Sequence, residues 1–136
     1  MSSSYSLFTD GGARGNPGPG AVGIVLKKDD EVIFAKGKYL GDDLTNNQAE
    51  YRAIIGGLEV AKKMKIGEIK CFLDSELVVK QLNREYKVKD TTLKTLFKKV
   101  ESLRSDFAKI SFHHVMREKN KLADEMVNKA LDENLK

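Results

Sequence analysis

The 136-residue sequence predicts an α/β layer fold, a mixed sheet with helices packed on it. Two patterns carry this expectation. Three strand-like segments follow one another at the start of the chain, and the remainder alternates between helical and strand periodicity, as in layered α/β domains. Strand–helix–strand connections within one sheet are crossovers, so strands one, four and five are expected to run parallel. The length fits a single domain over 1–136 and is too short for two ordinary ones.

Residues 4–10 alternate as the first strand. Arg14 to Gly20 is a glycine-rich turn that holds both prolines, Pro17 and Pro19. Ala21–Leu26 and Val32–Tyr39 read as a hairpin closed by the polar stretch Lys27–Glu31. Thr45, Asn46 and Asn47 supply capping chemistry for a helix over 46–64. Ile69–Asp74 is a strand, and Ser75–Asn83 and Thr91–Arg104 are helices. Lys109–Val115 is the last strand and Asn120–Leu135 the last helix.

Apolar residues make up 40% of the chain and charged residues 32%, a balance that suits one core and excludes a disordered segment. No apolar run approaches the roughly 18 residues of a membrane helix. The opening MSSSYSLFTDGG has neither the basic segment nor the apolar stretch of an export signal, so a cytoplasmic protein is expected. Cys71, the single cysteine, can make no internal disulfide, and two histidines cannot complete a Cys/His zinc site. Cys71 alternates with Ile69 and Leu73 as a core residue. The net charge of +4 permits a nucleic-acid partner without demanding one. Gly18–Gly23 fits a GxGxxG pattern, but strand periodicity follows it where a helix is required, and no Gly-Lys-Ser/Thr follows the glycines. Dinucleotide binding and NTP hydrolysis are excluded on that ground.

The informative residues are carboxylates that interrupt apolar faces. Side chains alternate along a strand. YSLFTD therefore puts Phe8 and Asp10 on one face, and IKCFLD puts Phe72 and Asp74 on one face. If the two strands are parallel neighbours in register, Asp10 and Asp74 stand side by side at their C-terminal ends, where α/β sheets gather ligands. In the long helix, Glu50 precedes the stripe Ile54, Gly57, Leu58 and Ala61 by one turn; it is expected in the first turn, pointing at the sheet. In the last helix, Asp124 borders the stripe Ala123, Val127, Ala130 and Leu131. Each acid has a structural explanation by itself, as a first-turn carboxylate favoured by the helix dipole or as a cap. Four together would repel, at about 4 kcal/mol for one like-charged pair 4 Å apart at an effective dielectric of 20. Such a cluster requires cations, and an all-oxygen ligand set suits magnesium or manganese. It could hold one structural ion or two catalytic ones; a contiguous Asp-rich calcium loop is missing.

Four segments, TDGGARGNPGPG, TNNQAEYRA, LDSELVVKQL and REKNKLADEMVNKAL, resemble in order and spacing the four sequence blocks of type 1 ribonuclease H, over essentially the whole chain. The resemblance implies a five-stranded mixed sheet flanked by helices. It also implies a metal-dependent endoribonuclease that cleaves the RNA strand of RNA–DNA hybrids by two-metal-ion catalysis, leaving 5′-phosphate and 3′-hydroxyl ends. By position, Asp10, Glu50, Asp74 and Asp124 match the catalytic carboxylates that hold two Mg2+ ions, with Mn2+ an alternative. Asn16, Thr45, Asn46 and Asn47 match positions that contact the hybrid's minor groove or a DNA phosphate, with Arg14 on the same side. The backbone of Gly11 and Gly12 matches the segment that touches RNA 2′-hydroxyls, where a missing side chain allows close approach. The hybrid is the expected partner of a monomer that touches no membrane and needs no protein partner.

The chain departs from the family pattern in three places. Many bacterial members carry a histidine in a loop before the last acid; here MREKNKLAD is shorter, as in archaeal-like members, and Arg117 stands seven residues before Asp124. A guanidinium can grip a phosphate oxygen but cannot act as a base near neutral pH. His113 and His114 precede this loop and read as structural. Glu76 occupies a position where the family often has a glutamine that reads bases. The basic protrusion of some members is not evident, nor is an added amino-terminal hybrid-binding domain; Lys94, Lys98 and Lys99 project from one amphipathic helix, toward DNA or solvent. Two alternatives remain at this point: a catalytically silent hybrid-binding module, and a nuclease with specificity broadened to double-stranded RNA.

Overall fold

The computed structural model describes residues 3–134. Five strands and four helices follow in the order β1 (Tyr5–Ala13), β2 (Gly18–Lys28), β3 (Glu31–Leu44), α1 (Asn46–Lys63), β4 (Glu68–Leu73), α2 (Glu76–Leu82), α3 (Thr91–Arg104), β5 (Lys109–His114) and α4 (Lys121–Asn134). A short 3-10 turn, Arg117–Lys119, precedes α4 where a loop was expected. Leu135, the expected end of the last helix, and Met1 and Ser2 of the opening segment lie outside the described residues. Among the described residues, no helix is long and apolar enough to cross a membrane.

The sheet order is β3-β2-β1-β4-β5. The two hairpins pair antiparallel, whereas β1 with β4 and β4 with β5 pair parallel, as the crossovers require. The hairpin strands run longer than their apolar patterns. Gly18 and Gly20 were assigned to a turn, yet they pair with Leu44 and Gly41 of β3, across register shifts at the sheet rim. Glycine breaks apolar alternation without breaking the backbone ladder, and β1 uses this to continue through Asp10 to Ala13.

Helices α1, α2 and α3 share the main core with the sheet. Leu7, Leu26, Ile54, Leu58, Leu73, Val78 and Val100 are fully enclosed there, as is Cys71, whose thiol burial pushes up in pKa. Helix α4 packs on the opposite face with a smaller cluster, Ala21, Val127, Ala130 and Leu131. Gly23 and Gly37 are cross-strand partners directly beneath it. A methyl group on either would collide with the α4 backbone, at the carbonyl of Ala123 or of Met126. The glycine pair thus allows the helix to lie against the sheet and fixes where its first turn falls.

Candidate active site

Strand register brings the first two acids together. Phe8 pairs with Phe72 and Thr9 with Leu73, so Asp10 and Asp74 are the next residues on adjacent parallel strands. The two phenylalanine rings stack at 4.9 Å, which confirms that the repeated Phe-x-Asp pattern shares one face. Asp74 lies just past β4, and the following Ser75 caps α2 by accepting from the Val78 N–H.

Glu50 arrives from α1. That helix starts with a capping box: the Thr45 hydroxyl accepts from Gln48 N–H, and the Gln48 side chain accepts from Thr45 N–H. Asn16 and Asn46 stitch its start to the sheet, Asn46 Oδ1 accepting from Ala13 N–H at 2.9 Å and Asn16 Oδ1 from Asn46 N–H at 3.0 Å. Glu50 is the fifth helical residue rather than part of the first turn, so the dipole does not account for it. Its Oε1 accepts from Gly11 N–H at 3.2 Å, and its Oε2 is buried without a partner. Gly11 owes its identity to this junction. A side chain there would strike the Ala49 carbonyl, so the glycine serves the approach of α1. The space beside Gly12, by contrast, is open to an ordinary contact with Val127.

One oxygen each of Asp10, Glu50 and Asp74 lies within 4.8 Å of the others. Asp10 and Glu50 are only 7% exposed. Burial and the charges of Asp74 and Asp124 push Asp10 up to about 7, and the neighbouring Glu50 carboxyl acts the other way. Burial and then the Asp10 charge raise Glu50 well above the usual carboxylate range. Asp74 is raised by burial, and the Asn120 amide and the charge of Arg117 oppose that rise. Three acids held above their ordinary values, with an unpaired buried oxygen among them, are short of positive charge. Such a donor set fits a hard divalent cation, which takes oxygen ligands and displaces the protons.

Asp124 stands at the rim, its side chain 27% exposed. It contacts Arg117 at 3.4 Å and Asn128 at 3.4 Å, and it adds its charge to the balance at Asp10. All four acids line one cleft of about 430 Å³, together with Gly11, Gly12, Arg14, Asn46, Asn47 and Arg117. Asn16 and Thr45 fall in an adjoining hollow of about 370 Å³ that shares Asn46 and Asn47. Every expected site residue therefore lies along one continuous depression, although several polar ends are already engaged. Arg14 is ion-paired with Asp132 of α4 at 2.7 Å. Glu76 is paired with Lys80, and His113 stacks on Phe72 and bonds Ser111. A larger groove, about 1100 Å³ between α1, α3 and the hairpin, holds none of the four acids.

Asn120 escaped the sequence reading. It sits at the head of α4, 2% exposed, and donates to the Thr9 carbonyl at 2.9 Å. The available signal was an asparagine four residues before an inward acid.

Comparison with known proteins gives the same answer. Residues 8–130 match the family model described as "Reverse transcriptase-like". The chain is 40% identical over 127 residues to the bifunctional protein Rv2228c of Mycobacterium tuberculosis, a match that covers 93% of this chain and 35% of that one. It thus spans about a third of the length of those curated mycobacterial relatives. Ribonuclease HI of Halobacterium salinarum is 41% identical over 126 residues, 93% of this chain and 63% of the relative. Among solved structures, ribonuclease H1 of that archaeon superposes with a TM-score of 0.92 at 39% identity, covering 95% of this chain and 98% of the other. LC11-RNase H1, solved in complex with an RNA/DNA hybrid, gives 0.92 at 40% identity, with 97% and 99% covered. With the fold, the acid cluster and these likenesses in agreement, the chain belongs to the type 1 ribonuclease H family.

Proposed function

We propose that the chain is an endoribonuclease that hydrolyses the RNA strand of RNA–DNA hybrids, using two Mg2+ ions or, in their place, Mn2+. The observation that carries this reading is the convergence of the Asp10, Glu50 and Asp74 oxygens within 4.8 Å, in a cleft of about 430 Å³ that Asp124 and Arg117 also line. The hybrid bound to LC11-RNase H1, a relative of nearly the same length, supports the substrate. Asp10, Glu50 and Asp74 would hold one ion, and Asp124 would help to hold the other. Bound divalent ions supply nucleophile activation and charge stabilisation for phosphodiester hydrolysis, which leaves 5′-phosphate and 3′-hydroxyl ends.

The protein's own groups orient the substrate. Arg117 and Arg14 grip phosphate oxygens, a task that suits the planar guanidinium fork. The open backbone at Gly12 approaches the RNA 2′-hydroxyl, the group that separates RNA from DNA. Asn16, Thr45, Asn46 and Asn47 form a neutral polar rim along the minor groove. All of these come from one chain, so a monomer suffices.

Incubating the protein with end-labelled hybrid, duplex RNA and duplex DNA, with Mg2+ or with chelator, tests the proposal. Shortening of the RNA in the hybrid alone, abolished by chelator, is expected. A hybrid that is shifted in a gel but never shortened overturns it in favour of a silent binding module. Equal cleavage of duplex RNA overturns the hybrid specificity.

A further inference from the structure

Asn120 hydrogen-bonds the supports of two of the four acids, Asp10 and Asp124. Its side-chain amide donates to the main-chain carbonyl of Thr9, the residue before Asp10, at 2.9 Å. The amide also opposes the effect of burial on the Asp74 carboxylate. Its own main-chain carbonyl accepts from the Asp124 N–H at 3.1 Å, the first hydrogen bond of α4. The residue is 2% exposed, and its Oδ1 has no partner. Helix capping does not explain the choice, since a cap needs the side-chain oxygen to accept from the helix and Oδ1 has no partner. A donor on a neutral, compact side chain is what the site demands. It must meet the Thr9 carbonyl beside a cluster of carboxylates, and an aspartate would face both with the wrong charge.

We propose that Asn120 is a positioning residue, which sets the first turn of α4 against the Asp10 end of β1 so that the carboxylates are in place for a divalent ion. Groups that orient metal ligands without touching the metal commonly change affinity or activity by about 10–100-fold when removed. The inference deepens the functional reading above and rests on it.

The test uses the full chain with Asn120→Ala, Asn120→Leu and Asn120→Asp. Mn2+ and Mg2+ binding is followed by calorimetry, kcat and KM are measured on hybrid, and melting temperature is taken without metal. Val100→Ala, on the buried face of α3, controls for plain destabilisation. The expected result is a metal Kd raised and a kcat lowered about 10–100-fold in all three variants, with KM for the hybrid within about twofold of wild type. Asn120→Leu keeps the volume if Asn120→Ala fails to fold. Asn120→Asp keeps the shape while removing the amide donors, so a purely space-filling role predicts wild-type metal affinity for it. Metal Kd and kcat that stay at wild-type values, or that change no more than in Val100→Ala at equal loss of melting temperature, overturn the assignment. A wild-type protein that takes up neither ion overturns the functional reading itself, and this one with it.

Discussion

Helices α1 and α4 each deliver one acid to the same edge of the sheet, and they are built in different ways. Helix α1 belongs to the main core, opens with a reciprocal cap, and is stitched to β1 by neutral amides. Its acid, Glu50, is enclosed and tied to the backbone of Gly11. Helix α4 rests on a small cluster and a pair of glycines, and its acid, Asp124, faces solvent between Arg117 and Asn128. One half of the site is a fixed floor, and the other half is a rim held by charge. That arrangement suits a centre in which one set of ligands must stay preorganised while the other adjusts as metal and substrate enter.

The largest expected effect separates floor from rim. Asp10→Asn and Glu50→Gln each remove a buried ligand that no neighbour can replace, and should lower kcat on hybrid by about a thousandfold or more, of the order lost with a central electrostatic group. Asp124→Asn keeps an oxygen at an exposed, adjustable position and should cost only about 10–100-fold, within the range of supporting groups. Single-turnover cleavage at saturating Mg2+ measures both. Equal losses for Asp10→Asn and Asp124→Asn would erase the distinction.

The floor should also reveal itself through pH. Asp10 is raised from 3.8 to about 7, chiefly by burial. A raised folded-state value means that the folded protein holds the proton more tightly. The resulting stability is complete below about pH 4 and is lost as pH climbs through 7. The span from 3.8 to about 7, at about 1.4 kcal/mol per pH unit, amounts to about 4 kcal/mol. Glu50 and Asp74 are raised too and add in the same direction. Metal-free protein should therefore melt at lower temperature at pH 8 than at pH 5, and Asp10→Asn should flatten that slope and melt above wild type at pH 8. Mg2+ should restore wild type, because an ion that binds only the folded state stabilises it by mass action. Calorimetric melts with chelator and with Mg2+ decide this, and a metal-free protein most stable at pH 8 contradicts it.

A third contrast lies in the glycines. Gly11→Ala drives a methyl group into the backbone of Ala49 at the head of α1, and Gly23→Ala does the same to Ala123 in α4. Overpacking of this kind costs typically about 1–3 kcal/mol. The α1 junction should sit at the upper end, since the main core must shift. Helix α4 can lift from its small cluster at lower cost, but Asp124 lifts with it. Urea melts and hybrid cleavage on the same samples should show Gly11→Ala as the less stable protein, and Gly23→Ala as the one whose activity falls more than its stability accounts for.

These contrasts mark where sequence reasoning reached and where it stopped. The acids were legible because a charge on an apolar stripe is an anomaly, and the shared Phe-x-Asp ending carried the register that Phe8 and Phe72 obey. Crossovers fixed which strands run parallel. Gly11 was visible only as space for a ligand, and Gly23 and Gly37 only as positions within strands. That Gly11, Gly23 and Gly37 make room for helix backbones is a property of element pairs distant in sequence. Thr45, read for both capping and substrate, forms a complete capping box, which periodicity and composition cannot distinguish from a substrate contact. Asn120 was passed over because a head-of-helix asparagine is ordinary until its partner, Thr9, is seen across the molecule. Arg14 gave no hint of Asp132 for the same reason.

That last pair carries the smallest effect and the finest test of the rim. Arg14 and Asp132 meet at 2.7 Å, with side chains 41% and 63% exposed. Exposed pairs contribute about 0–1 kcal/mol, so Asp132→Asn should leave the melting temperature nearly unchanged. Its consequence should appear in binding. The substitution removes a negative charge from the mouth of the cleft and frees a guanidinium that the proposed substrate path needs. At water-like dielectric and a few ångströms, one charge is worth about 1 kcal/mol or less, which corresponds to a KM for hybrid about two- to fivefold lower at low ionic strength. The gain should fade as salt screens the rim, and Arg14→Gln should reduce the salt dependence of binding by about one phosphate contact. The α1 side supplies the control: Asn16 and Asn46 are neutral, so Asn16→Ala should change KM by a factor that does not vary with salt. Hybrid affinity in Asp132→Asn that matches wild type from low to high salt would place Arg14 outside the phosphate path, and leave Arg117 as the guanidinium that the rim presents to the backbone.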